Sequence, residues 1–78
     1  MSKLEEVIKE TLFLPEESEV KDEDGPGTLD DWDSMGHMNV IGAVEDEYQV
    51  EIGPEEILHI QSVSDIKKLL KTKGIKDI

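Results

Sequence analysis

No cysteine, no arginine and no long apolar run occur in the 78 residues of this chain, and it holds only one Trp, one Tyr and one Phe. Each absence closes off a class of protein. Without thiols there are no disulfides, no thiolate nucleophile and no thiolate metal site, and a reducing, intracellular location is the simple expectation. No apolar stretch approaches about 18 residues, so no membrane-spanning helix is expected. The opening "MSKLEEVIKE" is charged throughout and does not read as a secretion signal. A soluble, cytoplasmic chain is the expectation.

Positive charge is scarce as well. Eight lysines stand against twenty Asp and Glu, a formal charge of -12. A surface of that sign repels phosphate backbones and anionic lipid, so neither nucleic-acid binding nor stable membrane insertion is expected, and partners should present basic surfaces. Between Lys21 and Lys67 there is no lysine at all, while Asp22, Glu23, Asp24, Asp30, Asp31, Asp33, Glu45, Asp46, Glu47, Glu51, Glu55, Glu56 and Asp65 fall in that span. Lys67, Lys68, Lys71, Lys73 and Lys76 gather near the end, where cations complement a helix C-terminus. A chain this short supports one domain, residues 1–78.

What is present reads as helix. Ser2 with Glu5 forms a capping box ahead of a stripe at Leu4, Val7, Ile8 and Leu12, and Pro15 ends that helix near Phe13 or Leu14. Residues 15–33 carry prolines, glycines and many acids with few apolar side chains, which predicts a long loop. Asp33 is placed to cap a second helix from Ser34 to about Tyr48, with Met35, Met38, Ile41, Val44 and Tyr48 as its stripe and Val40 and Ala43 widening it. "IGPEE" at 52–56 marks a short third helix with Gly53 at the cap, Pro54 in its first turn and Ile57, Leu58 and Ile60 turned inward. Ser62 with Asp65 caps a last helix carrying Ile66, Leu69 and Leu70, and Gly74 ends it as a left-handed residue. "YQVEI" alternates like a strand but has no sheet to join. The fold class expected is all-α: a small four-helix bundle of three main helices and one short one, with the long loop between the first and second. Its expected core adds Met38, Ile41, Val44, Ile57 and Ile60 to the stripes of the first and last helices, and Trp32 should cap the core beneath the loop.

Ser34 lies at the junction of loop and helix, in "DDWDSMGH" at 30–37. A catalytic serine needs a base and an orienting group. The chain offers only His37 and His59 and no recognisable oxyanion hole, so an enzyme is not expected. His37 reads as a solvated helical residue and a possible partner contact, and His59 as structural or exposed. The first N–H groups of a helix are unpartnered and carry partial positive charge, which gives a phosphate esterified to Ser34 a favourable field.

With "DSM" at 33–35, the helix continuing as "NVIGAVEDEYQVEI", then "GPEEI" at 53–57 and "SVSDI" at 62–66, the whole chain resembles the acyl carrier proteins. Those are small acidic four-helix bundles whose Asp-Ser-Leu motif opens the second helix. The resemblance implies a 4′-phosphopantetheine arm, derived from coenzyme A, on Ser34, carrying acyl or aminoacyl groups as thioesters for fatty-acid, polyketide-like or other specialised lipid pathways. It implies partner contacts at Asp33, Met35, Glu45, Asp46, Glu47, Glu55 and Glu56, made to a phosphopantetheinyl transferase and to acyl-loading, synthase or acyltransferase enzymes with basic docking surfaces. It also implies an acyl pocket drawn from Met38, Ile41, Ile57, Ile60 and Leu69, and a monomer. Met35 replaces the usual Leu, as in D-alanyl carrier proteins, which also resemble the chain at "DSMG", and Gly36, His37 and Asn39 stand where fatty-acid carriers often have carboxylates.

Two other readings remain open. "DEDGPGTLDDWD" at 22–33 sets acids at the first, third and ninth positions of an EF-hand-like calcium loop, with glycine at the sixth. Pro26 at the fifth offers no side-chain oxygen, and Asp33 at the twelfth is shorter than the usual Glu. The third reading is an acidic protein-interaction module without any arm.

Overall fold

A computed structural model describes residues 3–29 and 31–75. Four helices follow in order: α1 (Lys3–Thr11), α2 (Ser34–Tyr48), α3 (Pro54–His59) and α4 (Val63–Thr72). Among the described residues there is no strand, and Pro26 and Leu29 make one isolated bridge inside the loop. The chain is an all-α bundle with a long α1–α2 connection, as expected.

The helix ends follow local chemistry. Asp33 is extended and its carboxylate accepts the Gly36 N–H at 2.8 Å, satisfying one of the orphan donors of α2. Glu56 reaches back to the Gly53 N–H at 2.9 Å, and Ser62 Oγ accepts the Asp65 N–H at 3.2 Å. Gly74, at φ +95°, closes α4 with the Ile75 N–H returning to the Leu70 carbonyl at 3.0 Å. The Ser2 half of the first capping box lies outside the described residues, as do Asp30 and Lys76.

α1 stops at Thr11, two residues short of the expected Phe13, and closes with Leu14 N–H on the Lys9 carbonyl at 2.9 Å. That closure puts Phe13 in the left-handed region at φ 58°, where a side chain is normally disfavoured, with its ring almost wholly in solvent.

α1 packs chiefly on α2. Lys3 meets Glu47 at 2.7 Å at one end, while a Cβ on Gly36 would lie 3.0 Å from Leu12 Cδ2 at the other, so the two helices run antiparallel. The Glu47 carboxylate holds the Lys3 ammonium above its ordinary range. That contribution is present below the ordinary lysine range and lost as pH rises through the raised value. The core joins Leu4, Ile8 and Leu12 to Val40, Ile41 and Val44 of α2, Ile60, and Val63, Ile66 and Leu70 of α4. Val7, Ile57 and Leu69, expected within it, pack only at its edge.

Two apolar expectations fail. Met38 is 55% exposed and Leu58 77% exposed, so neither belongs to the core. The buried line of α2 is Gly36, Val40 and Val44, spaced by four, with Ile41 beside it. This rotates Met35 and Met38 outward. Ile57 and Leu58 are neighbours in α3, about 100° apart around the helix, so packing Ile57 against the core edge leaves Leu58 in solvent.

The loop is docked rather than loose. Val20 and Trp32 are buried, and the carbonyls of Asp24 and Asp22 accept the Val63 and Ser64 N–H groups at 2.8 and 2.9 Å. Main-chain oxygens from the loop thus cap the first turn of α4. Lys67 reaches back to the Asp22 carboxylate at 2.6 Å and fastens the same contact from outside.

Candidate functional site

Ser34 occupies the first helical position of α2 and is exposed. Three local features set it there. Trp32 anchors the approaching loop in the core, Asp33 caps the turn, and Gly36 lets that turn press against the loop and α1. A Cβ on Gly36 would sit 2.6 Å from the Asp31 carbonyl oxygen, so only glycine fits without movement. Beyond the cap, the first turn of α2 contains no carboxylate, while the Asp33 carboxylate at the N-cap occupies the Gly36 N–H and takes up part of the N-terminal field.

An open groove of about 620 Å³ begins at Ser34. Pro26 of the loop borders it, His37 and Met38 continue it along α2, and Ile57, Leu58, Ile60 and Gln61 form the far wall. Among the described residues no Asp, Glu or Lys lines it. Met35, at 78% exposure, follows Ser34 in the chain, and the exposed Met38 and Leu58 line the same groove.

His37 is not the solvated residue expected. The Trp32 indole donates from Nε1 to His37 Nδ1 at 2.9 Å, and His37 Nε2 lies 3.3 Å from the Ile57 carbonyl oxygen. The two rings tilt by 30° with centroids 6.1 Å apart. One side chain therefore joins the loop, α2 and α3 directly beside Ser34.

The five pocket candidates do not meet in one cavity. Met38, Ile57 and Ile60 line the Ser34 groove, Ile41 is sealed in the core, and Leu69 opens on a separate groove of about 340 Å³ between α3 and α4. Of the described residues, Ile60 alone touches both grooves. The acidic candidates divide in a similar way. The Glu45 carboxylate accepts the Ile52 N–H at 2.9 Å, Glu47 pairs with Lys3, and Glu56 bonds Gly53 and pairs with Lys73 at 3.2 Å. The Gly53 N–H, and after it the Lys73 ammonium, hold the Glu56 carboxyl below the usual carboxylate range. Its contribution to stability is present above that range and is lost as pH falls through the lowered value. Asp33, Asp46 and Glu55 are exposed.

The carboxylates of the calcium-like loop have internal duties. Asp24 accepts from the Lys21 N–H at 2.9 Å and from Thr28 Oγ1 at 3.3 Å, and Asp22 holds Lys67. Among the described residues no three His, Asp or Glu side chains converge to hold a metal ion, and no helix is long and apolar enough to cross a membrane.

No family model matches the chain, and no curated protein or solved structure matches it.

Proposed function

We propose that this chain is a non-enzymatic acyl carrier, whose Ser34 takes a 4′-phosphopantetheine arm and presents acyl or aminoacyl groups to successive enzymes. One observation carries the reading: an exposed hydroxyl at the first position of a 15-residue helix opens onto a largely apolar groove. The residues fit the group. A phosphodiester on Ser34 meets the N–H groups at the positive end of α2, of which the Asp33 carboxylate takes only that of Gly36, and the exposed Met35, Met38 and Leu58 offer apolar contact around it. The arm would supply the thiol that the chain lacks, holding cargo as a thioester and converting bimolecular encounters into local ones.

In loading, the Ser34 oxygen forms a bond to the β-phosphorus of coenzyme A, the pyrophosphate P–O bond breaks, 3′,5′-ADP departs and the hydroxyl proton passes to a base of the transferase. Asp33 keeps the turn in place through Gly36, and Gly36 keeps it pressed on the loop. The partners proposed are a phosphopantetheinyl transferase and acyl-handling enzymes with basic docking surfaces. Of the candidate acids on α2 and α3, Asp46, Glu47 and Glu55 are exposed for them, Glu47 beside its surface pair with Lys3, while Glu45 and Glu56 first serve the fold.

The test is intact mass and peptide mapping after incubation with a promiscuous phosphopantetheinyl transferase and coenzyme A. One phosphopantetheine on Ser34 is expected. Ser34→Ala should abolish loading while stability stays within about 0.5 kcal/mol, since the side chain is exposed. Loading at Ser18, Ser62 or Ser64 overturns the assignment. No gain, beside a control carrier that is modified, overturns the function.

A further inference from the structure

We infer that His37 is a proton-sensitive fastener of the Ser34 site: as neutral imidazole it ties the loop to α2 and α2 to α3, and on protonation it releases Trp32 and loosens the groove wall. The fastener is read from geometry alone, and its consequence for Ser34 rests on the carrier reading above.

An indole N–H can only donate. His37 Nδ1, 2.9 Å from Trp32 Nε1, must therefore accept, which leaves the ring hydrogen on Nε2, aimed at the Ile57 carbonyl 3.3 Å away. The neutral ring satisfies both contacts in one tautomer. Imidazolium carries hydrogen on both nitrogens. Nδ1–H would then face the indole N–H, and Trp32, 1% exposed, would keep a buried donor without its acceptor.

Among the described residues no neighbouring charge is arranged to hold the cation in place. On α2, the Asp33 carboxylate is turned to the Gly36 N–H. In the loop, Asp31 is exposed and Asp24 is bonded to Lys21 and Thr28. On α3, Glu55 is exposed, Glu56 serves Gly53 and Lys73, and His59 opens on the other groove with Asp65 and Lys68. The Ser34 groove beside the ring offers apolar side chains and the neutral Gln61.

Trp32 is the single tryptophan, so its emission and its indole proton report on this bond directly. Between about pH 8 and pH 5.5, a range that covers imidazole titration and stays above most carboxylates, wild-type emission should shift. Indole exchange, corrected for its intrinsic pH dependence, should accelerate about tenfold, the equivalent of one lost hydrogen bond. His37→Gln keeps an acceptor for Trp32 and a donor for Ile57 without titrating, and should be flat in both readouts. A wild type that is flat, or a Gln variant that shifts equally, overturns the fastener. Should the Gln variant fail to fold, ¹⁵N imidazole shifts of the wild type decide. A Trp32 transition sharing the His37 midpoint supports the inference, and one following His59 or a carboxylate sinks it. With the transferase, the ratio of wild-type to His37→Gln kcat/KM at Ser34 should change across the same range, and a constant ratio would remove the link to Ser34. No loading of either protein at any pH defeats the carrier reading, while the Trp32 readouts still decide the fastener.

Discussion

Trp32→Ala is expected to cost about 3–5 kcal/mol, which leaves a domain of this length mostly unfolded at neutral pH. Trp32 is the largest fully buried side chain, and it sits where the loop enters α2. Truncation opens a cavity among core residues and leaves His37 Nδ1 without its indole donor. Trp32→Phe should fall between: most of the ring volume stays, but the His37 acceptor loses its partner at about 1–3 kcal/mol. Urea unfolding followed by far-UV circular dichroism measures both, since neither variant retains a tryptophan. An Ala variant within about 1 kcal/mol of the parent would mean that the loop is not anchored by this ring.

The contrast between what could and could not be read beforehand follows the range of the interactions. Helix starts were legible because caps are local: Asp33 before α2, Gly53 and Pro54 before α3, Ser62 with Asp65 before α4, and Gly74 after it all act within a few residues. Ser34 was placed correctly at the head of α2 for the same reason. The rotation of α2 was not legible. Apolar residues lie on more than one of its faces, and the buried line starts at Gly36, which has no side chain to announce it. Met38 was therefore read inward and lies outward, while Met35, in the same stripe but expected as a partner contact, is exposed. The loop's attachment was hidden more deeply, because the carbonyls of Asp22 and Asp24 cap α4 and main-chain oxygens are the same in every residue. His37 is the corresponding miss at the site. A tryptophan five residues before a histidine carries a signal only once the turn between them is known.

The acyl-pocket residues show the same limit. Ile41 and Leu69 were grouped with Met38, Ile57 and Ile60 by resemblance, and they part company in space because α3 comes between the two grooves. What remains at Ser34 is an open, shared wall of α2 and α3 rather than a closed chamber. Cargo carried on an arm from Ser34 would lie along that wall, where a partner enzyme can reach it. Partner surfaces would then meet the exposed Met35, Met38 and Leu58 first, with the acids of the rim giving long-range attraction that salt weakens.

Gly25→Ala carries the second large expected effect, about 3 kcal/mol of lost stability. A Cβ there would lie 2.2 Å from the Gln61 carbonyl oxygen and 2.9 Å from Ser62 Cα. Both neighbours are main chain, so no side chain can swing aside, and the loop or the α3–α4 junction must move. Either motion stretches the bonds from Asp24 and Asp22 to Val63 and Ser64, and two N–H groups at the start of α4 lose their caps. Gly42→Ala is the matching control. Nothing lies within 4 Å of a Cβ at that exposed position of α2, and replacing glycine inside a helix should stabilise by about 0.5–1 kcal/mol. Opposite signs in chemical unfolding would place the fault at the loop–α4 contact rather than in the loss of a glycine. A Gly25→Ala protein as stable as its parent would instead mean that the loop can leave α4 without loosening the bundle. Slow amide exchange at Val63 and Ser64 in the parent would speak against such a loose loop, because both depend on loop carbonyls for protection.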